Sequence, residues 1–258
     1  MLQVLMTMAG ALLAPSAPGA GQASPVTNEA GQAMPAREEI ERTVPLDPQA
    51  LVSVSGIAGP VTVVTGGGSR AEVHIVRMAA TPAELACYRT EVRGGGARLV
   101  IAHVQERTPE CGTLRDRQEV RLVLPRRVDL TLTQIAGTVS IGPLDGTLRL
   151  ESIARHVTVA DVRSADLSSL AQGLTMTLGR IGPGGISIAS VTGPIELGFH
   201  RGAGADVSIS SIIGRVSTNS PVVSIQRSGN GNYRARVGAG GPAVSLSSIA
   251  GEVQLIGK

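Results

Sequence analysis

The sequence predicts an all-β fold, a single-stranded β-helix (β-solenoid) with rungs of about 19 residues. Three observations support this prediction. An aliphatic pattern recurs at that spacing, aromatic residues are only 1% of the chain, and 33 of the 258 residues are glycine. Branched aliphatic side chains suit a pleated surface, whereas helix-rich enzymes and aromatic-lined binding clefts have a different composition. The composition therefore favours stacked β-strands.

Each copy of the repeat has the same internal pattern. Two aliphatic residues alternate with polar ones, a third follows after a gap of two residues, and a glycine then precedes two more alternating aliphatic residues. The first copy consists of Val52, Val54, Ile57, Gly59, Val61 and Val63. Alternation directs one face of a strand inward, and the gap changes the phase, so we expect the chain to turn a corner there.

Further copies begin at residues 130, 148, 165, 186, 207, 223 and 244. The copies at 148 and 165 have Arg155 and Gln172 where the others have glycine, and the copy at 223 is weak. Stacked as rungs at about 4.8 Å each, seven copies would extend for about 34 Å. We expect right-handed coiling, the commoner sense for such helices.

The glycine of the repeat is expected to serve the corner, because glycine permits positive φ or a close approach of another backbone. These corner glycines are Gly59, Gly137, Gly193, Gly214 and Gly251. A serine precedes the corner aliphatic residue in five copies: Ser152, Ser169, Ser190, Ser211 and Ser248. We interpret these hydroxyls as turn residues that bond to local backbone, rather than as a ligand surface.

The chain divides into three predicted regions. Residues 1–23 resemble a signal peptide, with an apolar run followed by small residues, although no Lys or Arg precedes the run. Residues 24–48, rich in Pro, Ala, Gly and Glu, are predicted to be a disordered linker. Residues 49–258 form the repeat domain, with an irregular first part (49–129) and regular rungs (130–258). We therefore expect an exported protein of the periplasm, cell envelope or extracellular space, with no transmembrane segment in the mature chain.

The two cysteines, Cys87 and Cys111, lie in the irregular first part. In an exported protein an isolated pair is expected to form a disulfide, which would contribute about 3 kcal/mol in the chain-entropy model. Two unpaired buried thiols are the alternative. Two cysteines provide too few ligands for a structural zinc site.

Three stretches resemble one known family. They are ERTVPLDPQALVSVSGIAGPVTVV (41–64), VRLVLPRRVDLTLTQIAGTVSI (120–141) and YRARVGAGGPAVSLSSIAGEVQL (233–255). They are similar to the bacterial DUF4097 ("putative adhesin") family of β-strand repeats. The resemblance implies an extracytoplasmic β-helix, usually without an assigned activity, and it provides no catalytic residues to transfer. Arg155, Gln172 and the cysteine pair depart from the family pattern.

Candidate catalytic and metal-binding residues are few. His74 and His103 lie on predicted strands that can pair, so they either meet at a metal or face outward separately, and we favour the second interpretation. Nucleophile-elbow, P-loop and dinucleotide-binding motifs are missing from the sequence. Carboxylates occur in or near successive turns at Asp145, Asp161, Asp166 and Asp206, with Arg149, Arg163 and Arg201 nearby. Without aromatic sugar platforms these residues favour solvated turns over a glycosidase site, so we predict no enzyme activity, no cofactor and no metal.

The net charge of +3 is too small to indicate nucleic-acid binding. The sequence therefore favours a non-catalytic exported β-helix, an envelope-associated structural or adhesin-like module that binds a protein or glycan partner. One alternative is a self-assembling scaffold of solenoids that associate end to end, because the last repeat ends close to Lys258 with no helical cap in the sequence. A polysaccharide-active β-helix enzyme is a less favoured alternative.

Overall fold

A computed structural model describes residues 36–105, 111 and 117–257. These residues form nineteen strands and one short helix, and the strands join into one sheet that nearly closes on itself around an apolar core. The predicted all-β class is confirmed. No helix within the described ranges is long and apolar enough to cross a membrane. The predicted signal peptide and the first part of the predicted linker lie outside the described residues.

The strands of the first half are β1 (Ala36–Ser55), β2 (Val61–Gly66), β3 (Arg70–Ala79), β4 (Tyr88–Gln105), β5 (Arg117–Pro125), β6 (Asp129–Ile135), β7 (Val139–Ile141), β8 (Leu144–Ile153) and β9 (Val157–Val159). The helix α1 (Pro82–Ala86) lies between β3 and β4. The strands of the second half are β10 (Val162–Leu170), β11 (Leu174–Leu178), β12 (Ile186–Thr192), β13 (Ile195–Phe199), β14 (Ala205–Ile213), β15 (Val216–Thr218), β16 (Val223–Gly229), β17 (Asn232–Val237), β18 (Ala243–Ala250) and β19 (Val253–Gly257).

The copies from 52 to 186 pair in parallel in sequence order, in the register of the aliphatic pattern. The strand before each corner belongs to a front ladder, which contains β1, β6, β8, β10 and β12 in that order, with β4 parallel to β1 on its other side. The strand after each corner belongs to a back ladder, which contains β2, β7, β9, β11 and β13 in that order. Equivalent aliphatic residues face each other and are almost completely buried, as Leu130 and Leu148 are in the front ladder. Each repeat therefore buries its apolar face against the repeats on either side.

The last repeat does not lie at the end of the stack. Strand β18 pairs with β12 on one side and with β14 on the other, and β19 likewise lies between β13 and β15. The copy at 244 is therefore inserted between the copies at 186 and 207. The expectation that the last repeat leaves the stack uncapped is wrong. The aliphatic pattern shows which residues face inward, but it does not determine the order of the copies in the stack.

The weak copy at 223 is not a rung. Strand β16 forms an antiparallel hairpin with β17, and β17 continues the front ladder antiparallel to β14. Asn230 and Gly231 connect the two strands, and an Asn-Gly pair is a favoured two-residue hairpin turn. The polar run from Gln226 to Ser228 stands where a rung would need buried aliphatic residues, so the hairpin covers the front ladder at this end.

The predicted linker ends earlier than residue 48. Ala36–Pro45 is the first part of β1 and pairs antiparallel with β3, while residues from Leu51 onward join the front ladder. Ile40 and Val44 pack against the core, and the Arg77 side chain, which is only 2% exposed, forms an ion pair with Glu38. These apolar contacts and the ion pair across the strands stabilise a strand in a segment whose acidic composition predicted disorder.

The irregular first part contains a regular repeat. The copy at 52 pairs directly with the copy at 130, although the segment from β3 to β5 lies between them in sequence. Strand β5 extends the back ladder beside β2, and β3 then pairs antiparallel with β5. The predicted boundary at residue 129 therefore does not divide the described ladders.

Candidate functional site

The outward positions of the front ladder form rows of polar side chains. One row crosses the ladder at the position of Ser53, and its register partners are Thr131, Arg149, Asp166, Ser187, Ser245, Ser208, Arg234 and Gln226. Alternation produces this row, because the chain neighbours of its members from Ser53 to Ser208 are buried in the apolar core. The front face is therefore rich in hydroxyl groups, and arginines concentrate at the end formed by the hairpin.

A concavity of about 590 Å³ opens at that end of the front face. Its polar lining is Asp206, Ser208, Ser224, Gln226, Arg234 and Arg236, and its floor includes Val207, Ala235 and Ala243. Strand β17 supplies both arginines from outward positions, since Ala235 and Val237 between and beside them are buried. The hairpin thus determines which side chains converge.

The two arginines differ in their partners. Arg236 Nε lies 3.3 Å from Asp206 Oδ1, and Asp206 Oδ2 accepts a hydrogen bond of 3.3 Å from the Gly241 N–H. Among the described residues Arg234 has no ion-pair partner. Two arginines and one aspartate leave one positive charge in the concavity. A guanidinium can bind a carboxylate or sulfate through two parallel hydrogen bonds, and the nearby hydroxyl and amide groups can bond to sugar hydroxyls.

The four predicted carboxylates already have partners. Asp145 lies 3.3 Å from Arg163, Asp166 lies 3.3 Å from Arg149, and Asp206 pairs with Arg236. Asp161 accepts a hydrogen bond of 2.6 Å from the Gly179 N–H. Asp145 is the second residue of β8, and Asp161 directly precedes the neighbouring front strand β10. Asp166 and Asp206 lie on the outer face of two strands that do not pair. Arg201 is exposed in the turn after β13.

The structure stacks the corner glycines. A Cβ atom on Gly137 would lie 2.1 Å from the carbonyl oxygen of Gly59, and one on Gly251 would lie 2.1 Å from the carbonyl oxygen of Gly193. A Cβ atom on Gly214 would in turn lie 1.9 Å from the oxygen of Gly251. The place of Gly251 between Gly193 and Gly214 agrees with the inserted position of the last repeat. Glycine is therefore required here because it allows the backbones of neighbouring corners to approach closely.

Positive φ at the corners occurs at the residue before the corner aliphatic. All five predicted serines have φ between 55° and 59°, and Gln134 has the same conformation at 56°. Of the corner glycines, Gly193 and Gly214 have positive φ. The sequence predicts turn residues at these serines, but the recurrence of a small polar residue is its only signal of their left-handed conformation.

The two histidines on the first strands are not brought together. His103 Nδ1 lies 2.6 Å from Gln118 Nε2 and its ring stacks on Tyr88, whereas His74 Nε2 lies 2.5 Å from Glu39 Oε1. Glu41 Oε1 is 3.9 Å from the same His74 nitrogen. The hydrogen bond from His74 lowers the pKa of the Glu39 carboxyl below its ordinary value of 4.5.

Glu39, Glu41 and His74 could together offer three ligand atoms to a metal ion. These side chains are exposed or half-exposed, and Arg37 lies 3.2 Å from Glu39 and competes for its carboxylate. Sequence reasoning missed this group because both glutamates fell in the predicted linker.

The predicted disulfide is present. Cys87, the C-terminal cap of α1, is bonded to Cys111, with 5.5 Å between their Cα atoms. Thr81 caps the other end of the helix by accepting a hydrogen bond of 3.2 Å from the Glu84 N–H. The bond therefore ties the short helix to a distant part of the chain.

No protein-family model matches the chain, and no curated protein matches it. Among solved structures, the chain is similar to a putative cell adhesion protein from Clostridium sporogenes at 12% identity and a TM-score of 0.39, covering 87% of this chain and 100% of that one. A putative adhesin from Bacteroides fragilis matches at 9% identity and 0.31, covering 86% and 98%. A putative lipid-binding protein from Parabacteroides distasonis matches at 10% identity and 0.26, covering 85% and 96%. Membership of the DUF4097 family stays a prediction.

Proposed function

We propose that the chain is an exported, non-catalytic β-solenoid of the adhesin type, coiled in the right-handed sense, that binds an envelope or extracellular partner. The alternation of front and back strands with in-register parallel pairing supports the solenoid. The apolar N-terminal run and the disulfide support export, since structural disulfides persist in oxidising compartments. All four candidate carboxylates form ion pairs or hydrogen bonds within the chain, which supports the absence of catalysis.

The partner is an anionic glycan or a similar acidic polymer, bound at the arginine-lined concavity. Arg234 carries this proposal, because it is an exposed guanidinium without an ion-pair partner among the described residues, and it faces the same concavity as Ser208, Ser224 and Gln226. Its charge suits a uronate carboxylate or a sulfate, while the neutral groups suit ring hydroxyls. The hydroxyl rows of the front face would extend contact along a polymer, so several weak contacts would add through multivalency.

The test is binding of the purified repeat domain, residues 36–258, to uronate-containing, sulfated and neutral oligosaccharides. We expect the acidic chains to bind, and Arg234→Ala to weaken binding about tenfold or more, since hydrogen bonds to charged groups contribute about 1.5–3 kcal/mol. Arg215→Ala is the matched control, because it removes another exposed arginine from a turn outside the concavity. Equal affinity of the two variants, or failure of every acidic chain to bind, would contradict the proposal.

The absence of catalysis is tested with the same acidic chains. We expect no new chain ends after prolonged incubation with the repeat domain. Cleavage that is lost in Asp161→Asn or in Asp206→Asn, but retained in Asp166→Asn, would replace the proposal with the polysaccharide-active alternative.

A further inference from the structure

The strands after His200 form a block of their own. This C-terminal block, residues 205–257, contains β14 to β19, which pair with one another as β14–β18, β15–β19, β14–β17 and β16–β17. Among the described residues its only strand pairings with the rest of the chain are β12–β18 and β13–β19. The block is therefore attached along one edge of the preceding stack.

The attachment edge is apolar and closely fitted. Ile188 faces Leu246, and Leu197 faces Leu255, and all four side chains are almost completely buried. The Gly193 N–H donates to the Ala250 oxygen at 2.8 Å, and the Ile195 N–H donates to the Glu252 oxygen at 2.8 Å. If this edge is left open, it exposes unpaired backbone groups and core side chains to solvent. Binding of a C-terminal block pairs those backbone groups and buries those side chains again.

One short segment connects the block to the stack. Residues 200–204 are exposed or half-exposed, and their turn contains a hydrogen bond of 2.9 Å from the Ala203 N–H to the His200 oxygen. A Cβ atom on Gly202 would meet nothing within 4 Å, and its φ of +81° suits a flexible glycine hinge. The segment can therefore change direction without disturbing packed atoms at Gly202.

The order of the strands delays closure of this edge. The docking strands β18 and β19 follow β14 to β17 in the chain, and β14, the first strand of the block, pairs with β18 and not with β12. The β12/β13 edge must therefore wait until β18 and β19 have been added before its own block can dock. Exposed edges that wait for distant partners are where repeat proteins exchange elements between chains.

We propose that the β12/β13 edge accepts the C-terminal block of a second copy of this chain, so that two copies exchange blocks and form a symmetric dimer. Each block then makes the same contacts in the dimer as in the monomer, and only residues 200–204 change conformation. Closed monomer and exchanged dimer differ little in contact energy, so the protein concentration during folding selects between them.

The test places a pair of cysteines across the attachment edge. Ser187 and Ser245 face each other in the β12–β18 ladder and are both exposed, so Ser187→Cys with Ser245→Cys can form a disulfide. In a monomer this bond is within one chain, and in an exchanged dimer it joins two. The matched control is Ser208→Cys with Ser245→Cys, because both of these residues lie within the block and face each other in every state.

Each variant is unfolded with its native disulfide intact, refolded over a hundredfold range of protein concentration, oxidised and separated on a non-reducing gel. We expect covalent dimer to increase with concentration in the 187/245 variant, while the 208/245 control stays a covalent monomer. Absence of covalent dimer at every concentration, or equal amounts in both variants, overturns the proposal.

A hinge variant gives an independent measurement. Deleting Gly202 and Ala203 shortens the connection, so a block reaches its own edge less easily, and we expect the dimer fraction at low concentration to increase at least tenfold by light scattering. Inserting two Gly-Ser pairs at the same place is expected to restore the monomer. An unchanged dimer fraction in both hinge variants would count against exchange.

Discussion

At the scale of single residues, the serine and the glycine near a corner have different roles. The serine accepts the left-handed conformation, which costs most side chains about 1–2 kcal/mol but is less unfavourable where a short polar side chain can bond locally. The glycine two residues past the corner aliphatic allows adjacent corners to approach until no Cβ fits. The geometry of a corner therefore depends both on the left-handed backbone at the serine and on the close backbone packing at the glycine.

Gly251→Ala is predicted to destabilise the fold by about 2 kcal/mol or more, because the added methyl group meets the Gly193 backbone at 2.1 Å and the ladder cannot move away freely. Gly67→Ala is the control, since a Cβ there meets nothing within 4 Å. We expect the control to change the free energy of unfolding by less than about 0.5 kcal/mol. Chemical denaturation measures both, and equal midpoints would contradict the close-packing argument.

The Glu39 carboxyl is predicted to titrate below its ordinary value, and His74→Ala to raise its pKa more than Arg37→Ala does. The hydrogen bond from His74 is the main cause of the shift, and the charge of Arg37 is a lesser one. Because the folded-state pKa is lowered, the stabilising contribution is present above pH 4.5 and is lost as the pH falls through the lowered value. Carboxyl NMR titration of the three proteins measures this, and a larger shift in Arg37→Ala would reverse the assignment.

At the scale of elements, both ends of the stack depart from the repeat. The β16–β17 hairpin covers the front ladder with a polar, exposed strand, which is an unfavourable template for another sheet. At the other end, β1, β3 and β5 pair antiparallel, and the buried Arg77 guanidinium donates hydrogen bonds to the backbone oxygens of Leu85 and Tyr88 beside α1. Irregular elements therefore lie where regular rungs would expose their edges.

Replacing both Cys87 and Cys111 with serine is predicted to lower the free energy of unfolding by about 3 kcal/mol, because the closed loop no longer restricts the unfolded chain. The far-UV circular dichroism spectrum should change little, since neither cysteine lies in the ladders. Reduction of the unmodified protein should destabilise it equally. A variant with unchanged stability would show that the bond does not constrain unfolding.

At the scale of the whole described structure, the parallel ladders run continuously, but the chain does not visit them in order. Two segments interrupt the succession, the region from β3 to β5 and the C-terminal block. Each attaches by strands that are distant in sequence from its point of departure. Closure of the fold therefore depends on long-range pairing, which slows folding relative to a simple succession of rungs.

Leu246→Ala is predicted to accelerate amide hydrogen exchange throughout β14 to β19 while leaving β6 to β9 protected. Leu246 is completely buried between Ile188 and Ile209, and a cavity there costs about 2–5 kcal/mol at the attachment edge. Leu150→Ala is the control, because its cavity lies in the middle of the front ladder and should accelerate exchange in β6 to β9. Uniform acceleration of the whole chain by both variants would contradict an independent block.

Much of the fold follows from local sequence. The alternation of aliphatic residues and the two-residue gap predicted which side chains face inward, where each repeat turns and which residues pair, as Leu130 and Leu148 illustrate. These features depend on periods of two residues, which neighbouring side chains alone establish. The disulfide was likewise predicted from the sequence, because the chain has one isolated pair of cysteines and is expected to be exported.

The tertiary structure decided the order of the repeats and the site that results. The aliphatic patterns of the copies at 186, 207 and 244 are nearly interchangeable, so pattern alone cannot determine that Gly251 lies between Gly193 and Gly214. Likewise, Arg234 and Arg236 meet Asp206 and Gln226 only because the hairpin β16–β17 folds back beside β14. Local pattern determines which face of a strand is buried, whereas choosing among equivalent neighbours depends on chain connectivity and on the side chains at the ends of the ladders.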